Sequence, residues 1–241
     1  MYCAAYTDVR LAAVYDALNP PSEDTSFYVD LAGGSAKTVL DMGCGTGRLA
    51  CSLARLGHRV TGADPAAGML GIAYKHEGGE KVRWIEADAA GLAVDTRFDL
   101  IIMTGHVFQV FLDDAEIGAV LGNLRRHLAA GGRLAFETRN PEIREWEQWP
   151  LETYEPFQLE SGSINVHYEI KSVDRSFVTF ATHFRFSVED VVVADHTVRF
   201  MDRDELGRFL ADAGFSDIVW YGDWDRSPMS PGSPEIIVTA G

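Results

Sequence analysis

The sequence predicts an α/β protein, a doubly wound parallel sheet with a small antiparallel sheet inserted late in the chain. Three observations carry that reading. Residues 38–56 run from a short apolar stretch (Thr38, Val39, Leu40) through Gly43, Gly45 and Gly47 into apolar residues at helical spacing, Leu49, Leu53 and Leu56. That is the pattern of buried strand, tight turn and helix. Acids close three successive strand-like stretches, at Asp41, Asp64 and Asp88. Residues 151–200 then leave the strand–helix alternation for a period of two, which marks half-buried antiparallel strands.

A chain of 241 residues buries one sizeable core with room for a small subdomain. Its 21 basic and 36 acidic residues give a formal net charge of −15, which repels DNA or RNA in the absence of any Lys/Arg run. An anionic membrane surface is disfavoured on the same ground. No secretory leader pattern and no apolar run of transmembrane length is present. Cys3, Cys44 and Cys51 lack Cys-x-x-Cys spacing. Cys44 and Cys51 read as small buried residues and Cys3 as a terminal one, so no disulfide or metal site is expected. A reducing cytoplasm is the expectation.

The elements follow in order. Residues 8–18 put Leu11, Val14, Tyr15 and Leu18 on one helical face, and Asn19-Pro20-Pro21 stops that helix. Ser22 is placed to cap a second helix, to about Leu31. After the glycine turn and its helix, residues 58–64 form a strand ending in Asp64. In a doubly wound sheet an acid at this strand end accepts hydrogen bonds from ribose hydroxyls. Pro65 starts a helix whose Met69-Leu70 pair either packs on an adenine ring or fills core. Val82–Ala89 is the third strand with its acid. The fourth, residues 97–104, is nearly all apolar from Leu100 to Met103, as at the centre of a sheet covered on both faces. Residues 113–129 make a helix that Gly131-Gly132 ends, and Arg133–Thr138 is the fifth strand, running into Arg139-Asn140-Pro141.

Residues 146–200 are expected as an insertion in a core of 1–145 and 201–241. Ile164, Val166, Tyr168 and Ile170 alternate with Ser163, Asn165, His167 and Glu169, and Val178, Phe180, Phe184 and Phe186 alternate with Thr179, His183 and Arg185. Turn signals at Ser161-Gly162, Asp174-Arg175 and Glu189-Asp190 divide the segment into about four strands. Its apolar face must lie on the core, the site mouth or another subunit, and its edges are compatible with a homodimer. Asp202 and Glu205 sit at capping-box spacing and Gly214 stops that helix. Phe215–Tyr221 and Glu235–Thr239 complete the core sheet. Gly222–Pro234 between them falls at the cofactor end if the sixth strand runs parallel to the first.

Glycine is required where the backbone takes positive φ or a ligand lies against it. The helix beginning near Thr46 turns free N–H groups and a positive dipole end toward the turn. The third glycine of the dinucleotide fingerprint G-x-G-x-x-G falls on Arg48 here. Instead Asp41-x-Gly43-x-Gly45-x-Gly47, with Asp64, Asp88 and the apolar fourth strand, resembles the class I S-adenosylmethionine (SAM) methyltransferases over nearly the whole chain. The resemblance implies a Rossmann-like, seven-stranded, mostly parallel sheet with an antiparallel last strand. It implies SAM as cofactor and S-adenosylhomocysteine as product. It puts the glycine loop under the cofactor's amino-acid part and ribose, Asp88 on the adenine amine and the Ala89 N–H on a ring nitrogen. Thr104, closing the fourth strand, joins the cofactor set with Pro65. Tyr15 is either part of an N-terminal lid or a core tyrosine. The inserted sheet is similar to that of small-molecule members such as amino-sugar N-methyltransferases. Gly105-His106-Val107-Phe108 departs from the Asp/Asn-Pro-Pro-Tyr motif, which disfavours nucleic-acid bases and glutamine side chains as acceptors.

Transfer from a sulfonium is an in-line displacement, accelerated by positioning and water exclusion. An acceptor amine must be neutral, and a hydroxyl or carboxylic acid must lose its proton. His106 is the candidate base or orienting group, against a structural or capping role. Arg139 is placed to hold a substrate carboxylate or phosphate, or to pair with a nearby glutamate. His167 and His183 read as solvated residues or, alternatively, as facing substrate, and Trp146 and Trp149 as pocket walls or anchors of the insertion. The expected function is methyl transfer from SAM to a nitrogen or oxygen of a small molecule. The alternatives are a non-catalytic SAM-binding protein and a protein methyltransferase; Arg48 and Asp88 disfavour a nicotinamide oxidoreductase.

Overall fold

The computed structural model describes residues 9–149, 156–159 and 162–241. Cys3, Asp8 at the start of the first expected helix, and Ser161 of the first turn signal lie outside them. The chain runs α1 (Val9–Leu18), α2 (Glu23–Ala32), β1 (Thr38–Met42), α3 (Arg48–Arg55), β2 (Arg59–Asp64), α4 (Ala67–Ala73), β3 (Arg83–Glu86), β4 (Phe98–Met103), α5 (Asp114–His127) and β5 (Leu128–Arg139). It continues with β6 (Phe157–Leu159), β7 (Gly162–Asp174), β8 (Phe177–Arg185), β9 (Val191–Arg199), α6 (Arg203–Asp212), β10 (Val219–Tyr221) and β11 (Glu235–Ala240).

Seven strands form one sheet in the order β10-β11-β5-β4-β1-β2-β3. β11 pairs antiparallel with both neighbours, whereas β1, β2, β3, β4 and β5 pair in parallel. The chain winds outward from β1 in one direction and from β4 in the other, so their carboxyl ends flank the switch point where doubly wound sheets bind ligands. Apolar strand residues pack on both faces, Leu40, Ile101 and Phe136 on one and Val39, Ile102 and Ala135 on the other.

β6-β7-β8-β9 form the second, antiparallel sheet. One end of its apolar face (Ile164, Val166, Phe184, Ala194) meets Leu11 and Val14 of α1. The other end meets Trp146, Trp149 and Phe200. The sheet's apolar face is therefore covered within the chain, with α1 between it and the core. Arg199, 7% exposed, ties β9 down by donating to Leu112 O (3.0 Å), Asp114 Oδ1 (2.6 Å) and Glu205 Oε1 (2.7 Å).

Local details differ from the sequence reading. α5 ends at His127, and Gly131-Gly132 lies inside β5. Gly131 takes φ 75°, and the β4–β5 register shifts between Phe98 and Leu100. A Cβ on Gly132 would stand 2.6 Å from Phe98 O, so close strand approach demands that glycine, whereas Gly131, with open space around its Cβ position, answers to left-handed backbone; neither ends the helix. The sixth strand is shorter than expected, starting at Val219; Phe215 packs in the core with α6 residues Leu206 and Leu210. The Glu205 N–H is capped by Asp202 Oδ1 (2.8 Å), but the Glu205 carboxylate goes to Arg199 rather than completing a capping box.

Candidate active site

A cavity of about 1290 Å³ opens at the carboxyl ends of the central strands. Of the expected cofactor residues, Tyr15, Asp41, Gly43, Gly45, Asp64, Pro65, Met69, Asp88, Ala89 and Thr104 border it, as do His106 and Arg139. Gly47 is not among its walls. A Cβ there would fall 2.3 Å from Trp84 Cη2 and 2.8 Å from Ala73 Cβ, at φ +74°. That glycine serves the packing of α3 against β3 and α4. Gly45 takes φ +52° with open space where its Cβ would stand.

The glycine loop is pinned from two sides. The Gly43 and Cys44 N–H groups donate to Ala63 O at 2.7 and 3.1 Å. The Asp64 carboxylate accepts the Gly45 N–H on Oδ2 (2.8 Å) and the Ala66 N–H on Oδ1 (2.8 Å). Burial raises its pKa, and those two N–H bonds oppose the rise. Asp41 is 1% exposed. Burial, reinforced by the Asp64 charge, pushes it up to about 7, against the Ala50 N–H. Asp41 Oδ1 has no partner among the described residues. Asp88 is exposed beyond the end of β3 and accepts the Gly91 N–H at 2.6 Å.

α1 closes this side. Asp16 Oδ1 accepts the Thr46 hydroxyl proton at 2.5 Å, and Asp16 Oδ2 lies 2.9 Å from His76 Nε2. Arg48 Nη1 donates to Asp16 O (3.1 Å) and Asn19 O (2.9 Å). Arg48 is thus committed to holding α1. Tyr15 packs with Ala12, Ala66, Met69 and Ile72 and also borders the cavity. Burial, then Asp64, raises its hydroxyl pKa. Met69, 1% exposed, is both core and cavity wall.

The opposite arm holds His106, which caps a short 3₁₀ turn, Val107–Val110, at φ 58°, ψ 27°. Its N–H donates to Glu137 Oε1 (2.8 Å), and its Nε2 lies 3.0 and 3.1 Å from the Glu235 oxygens. Tyr28 donates its hydroxyl proton to Glu137 Oε2. Burial raises the Glu137 pKa, which His106 and Tyr28 counter. Arg139 Nη1 donates to Gln109 Oε1 (2.9 Å) and its Nε lies 2.9 Å from Glu145 Oε2. Of the two readings left open for it, the glutamate pair is present.

β9 supplies Asp195, His196 and Thr197 to the cavity. His196 stacks on Phe180 at 4.9 Å, and burial lowers its pKa. The sequence reading passed over His196, although its place in the apolar register Val192, Ala194, His196, Val198 was the available signal. His167 and His183 instead stack on each other at 4.3 Å, and neither is a cavity wall. Trp146 and Trp149, both buried, anchor the insertion on Phe200. Glu137, Glu235 and Asp16 were also missed. No group of three or more potential metal ligands occurs among the described residues, and no helix among them is long and apolar enough to cross a membrane.

The chemistry of these groups suits a cationic nucleoside without phosphate. Carboxylates dominate the glycine-loop side of the cavity, a buried acceptor without a partner among the described residues sits beside that loop, and Arg48 next to the loop is engaged by α1. The fold is the one expected from the resemblance to class I SAM-dependent methyltransferases, and the cavity lies where that resemblance puts the cofactor. Comparison with known proteins bears on the same point. Residues 39–132 match the family described as methyltransferase domain. It is 33% identical over 105 residues to a cypemycin N-terminal methyltransferase of a Streptomyces species, covering 44% of this chain and 43% of that one. It is 35% identical over 129 residues to the ubiquinone biosynthesis O-methyltransferase of Serratia proteamaculans, covering 50% and 51%. The chain thus spans about half the length of these curated relatives. Its fold is that of the CcbJ methyltransferase from Streptomyces caelestis, with a TM-score of 0.76 at 20% identity over 98% of each chain.

Proposed function

We propose that this protein transfers a methyl group from SAM to a nitrogen or oxygen of a small-molecule acceptor. The observation that carries the reading is the set of acids around the glycine loop, with Asp41 Oδ1 unpartnered. Asp41 offers that oxygen to the cofactor's ammonium group, a buried acceptor being costly until it is paired. Asp64 keeps spare lone pairs for the ribose hydroxyls, and Asp88 with the Ala89 N–H takes the adenine, a role their place on the cavity wall supports. When bound, the cofactor supplies an electrophilic methyl group. His106, across the cavity, takes the proton that an amine or hydroxyl acceptor must lose.

A small acceptor is favoured by β9, which brings Asp195, His196 and Thr197 over the cavity. A volume of about 1290 Å³ exceeds the roughly 300–1,000 Å³ of a single ligand pocket, leaving space for both reactants. A carboxylate acceptor is disfavoured at Arg139, because it has to displace Glu145. The acidic balance and the cysteine usage favour a cytoplasmic protein that does not bind nucleic acid. Homodimerisation through the sheet edges is testable by light scattering.

Calorimetric titration with SAM and S-adenosylhomocysteine tests the reading, with NADH as control. Micromolar binding of the sulfur nucleotides and none of NADH is expected. Failure of a folded sample to bind either overturns the reading. A panel of small amines and phenols, scored by S-adenosylhomocysteine release, then finds the acceptor; binding without turnover of any member would favour a non-catalytic SAM-binding protein.

A further inference from the structure

Two glutamates of adjacent strands converge on one histidine. Glu137 of β5 stands opposite Ile237 of β11, and Glu235 of β11 stands opposite Arg139 of β5. Glu137 takes the His106 backbone N–H, and Glu235 takes the ring. His106 occupies the left-handed region at φ 58°, where a non-glycine residue is strained and persists only if its surroundings enforce it. Glu137 supplies that enforcement from a position 1% exposed.

Glu235 has no such backbone task. Its side chain is 13% exposed, and its ion-pair partner among the described residues is His106. The two carboxylates also repel each other, adding to the burial effect at Glu137. Stability of the sheet alone would be better served by an apolar residue. With Nε2 committed to Glu235, Nδ1 is the ring nitrogen without a hydrogen-bond partner among the described residues, on a residue that borders the cavity. A neutral imidazole carries one proton, and the hydrogen bond made by one nitrogen decides the state of the other.

We infer that Glu235 is a positioning residue, which fixes His106 as the Nε2–H tautomer and leaves the Nδ1 lone pair available to the acceptor. The inference rests on the functional reading above and deepens it. A proton lost by an acceptor amine or hydroxyl then passes to Nδ1, forming an imidazolium whose Nε2–H still donates to Glu235. Glu235 acts through the ring and does not meet the substrate.

Long-range ¹H–¹⁵N spectra of the full chain, acquired without cofactor at a pH where the ring is neutral, read the tautomer directly; His106→Ala assigns the signal. The wild type is expected to show Nε2–H. In Glu235→Gln, whose amide both donates and accepts, the Nδ1–H form should rise to at least a third of the population. Glu235→Asp should restore most of the wild-type signature. An Nδ1–H ring in the wild type overturns the proposal even if every variant misfolds, and so does an unchanged tautomer in a folded Glu235→Gln. SAM titration of Glu235→Gln should agree with wild type within about twofold; a loss beyond tenfold would place Glu235 in the cofactor site and also overturn the proposal. The tautomer needs no ligand, so failure of SAM binding by the wild type bears separately on the functional reading.

Discussion

The two arms of the cavity are built by different means. The cofactor arm is mostly local: the loop after β1, the acid ending β2 and the acid past β3 all fall between Asp41 and Ala89. Its main contacts are backbone N–H groups on carboxylates, as in Gly45 and Ala66 on Asp64. The acceptor arm gathers His106 from a turn, Glu137 and Arg139 from β5, His196 from β9 and Glu235 from β11. Its contacts join side chains up to 129 positions apart. A site held by backbone turns keeps its geometry when surface side chains change, whereas one held by side chains from separate elements changes with each of them.

Asp41 gives the largest effect that separates the arms. Its carboxyl keeps its proton up to about pH 7 when folded, against a usual 3.8. Between those values the folded chain binds a proton that the unfolded chain has released, so stability falls as pH rises from about 4 to about 7. The loss amounts to about 4 kcal/mol. Denaturant unfolding of wild type and Asp41→Asn at pH 5 and pH 8 should show the part of this decline above pH 5, about 3 kcal/mol, in the wild type but not in the variant. Parallel pH dependence in both would refute the assignment. Asp41→Asn should also weaken SAM binding while raising apo stability at pH 8.

The glycines divide next. Gly47→Ala places a methyl against Trp84 in left-handed backbone and should cost about 3 kcal/mol. Gly45→Ala meets open space and should cost about 1 kcal/mol, while lowering SAM affinity by tenfold or more. Equal stability losses would mean that the loop is not divided between packing and binding. Asp64→Ala should reduce SAM affinity ten- to hundredfold, about 1.5–3 kcal/mol for a lost charge-assisted contact; unchanged affinity in calorimetry removes it from the ribose role. Smallest is Asp16→Ala, which releases Thr46 and His76 from a partly exposed carboxylate. A loss of about 0.5–1 kcal/mol, a few-fold in SAM affinity, is expected, with faster hydrogen exchange in α1. Exchange unchanged in α1 would show that its contact with β7–β9 suffices to hold it.

Legibility in the sequence follows the same division. The sheet and the acids Asp41, Asp64 and Asp88 were readable because strand, turn and acid are adjacent in the chain. Gly47 shares the spacing of its neighbours, but its task is set by Trp84, 37 positions further on, which no motif announces. Glu137 sits in an apolar strand and Glu235 follows a proline-rich loop, so nothing local marks either as a partner of His106. His196 falls in the apolar register of Val192, Ala194 and Val198, where a histidine reads as core packing until the cavity beside it is seen. The double glycine at 131–132 read as a helix stop because a strand neighbour's carbonyl, Phe98 O, is invisible in one dimension.

The seat of α1 also has a consequence for the chain's synthesis. Leu11 and Val14 leave the ribosome well before their apolar partners Phe184 and Ala194, which follow some 170–180 residues later. At roughly 5–20 residues per second, that leaves an apolar helix face uncovered for about 10–35 s. That face of α1 is thus open to a nascent-chain chaperone until β7–β9 have emerged, and slowed translation through β7–β9 should lengthen the chaperone's hold.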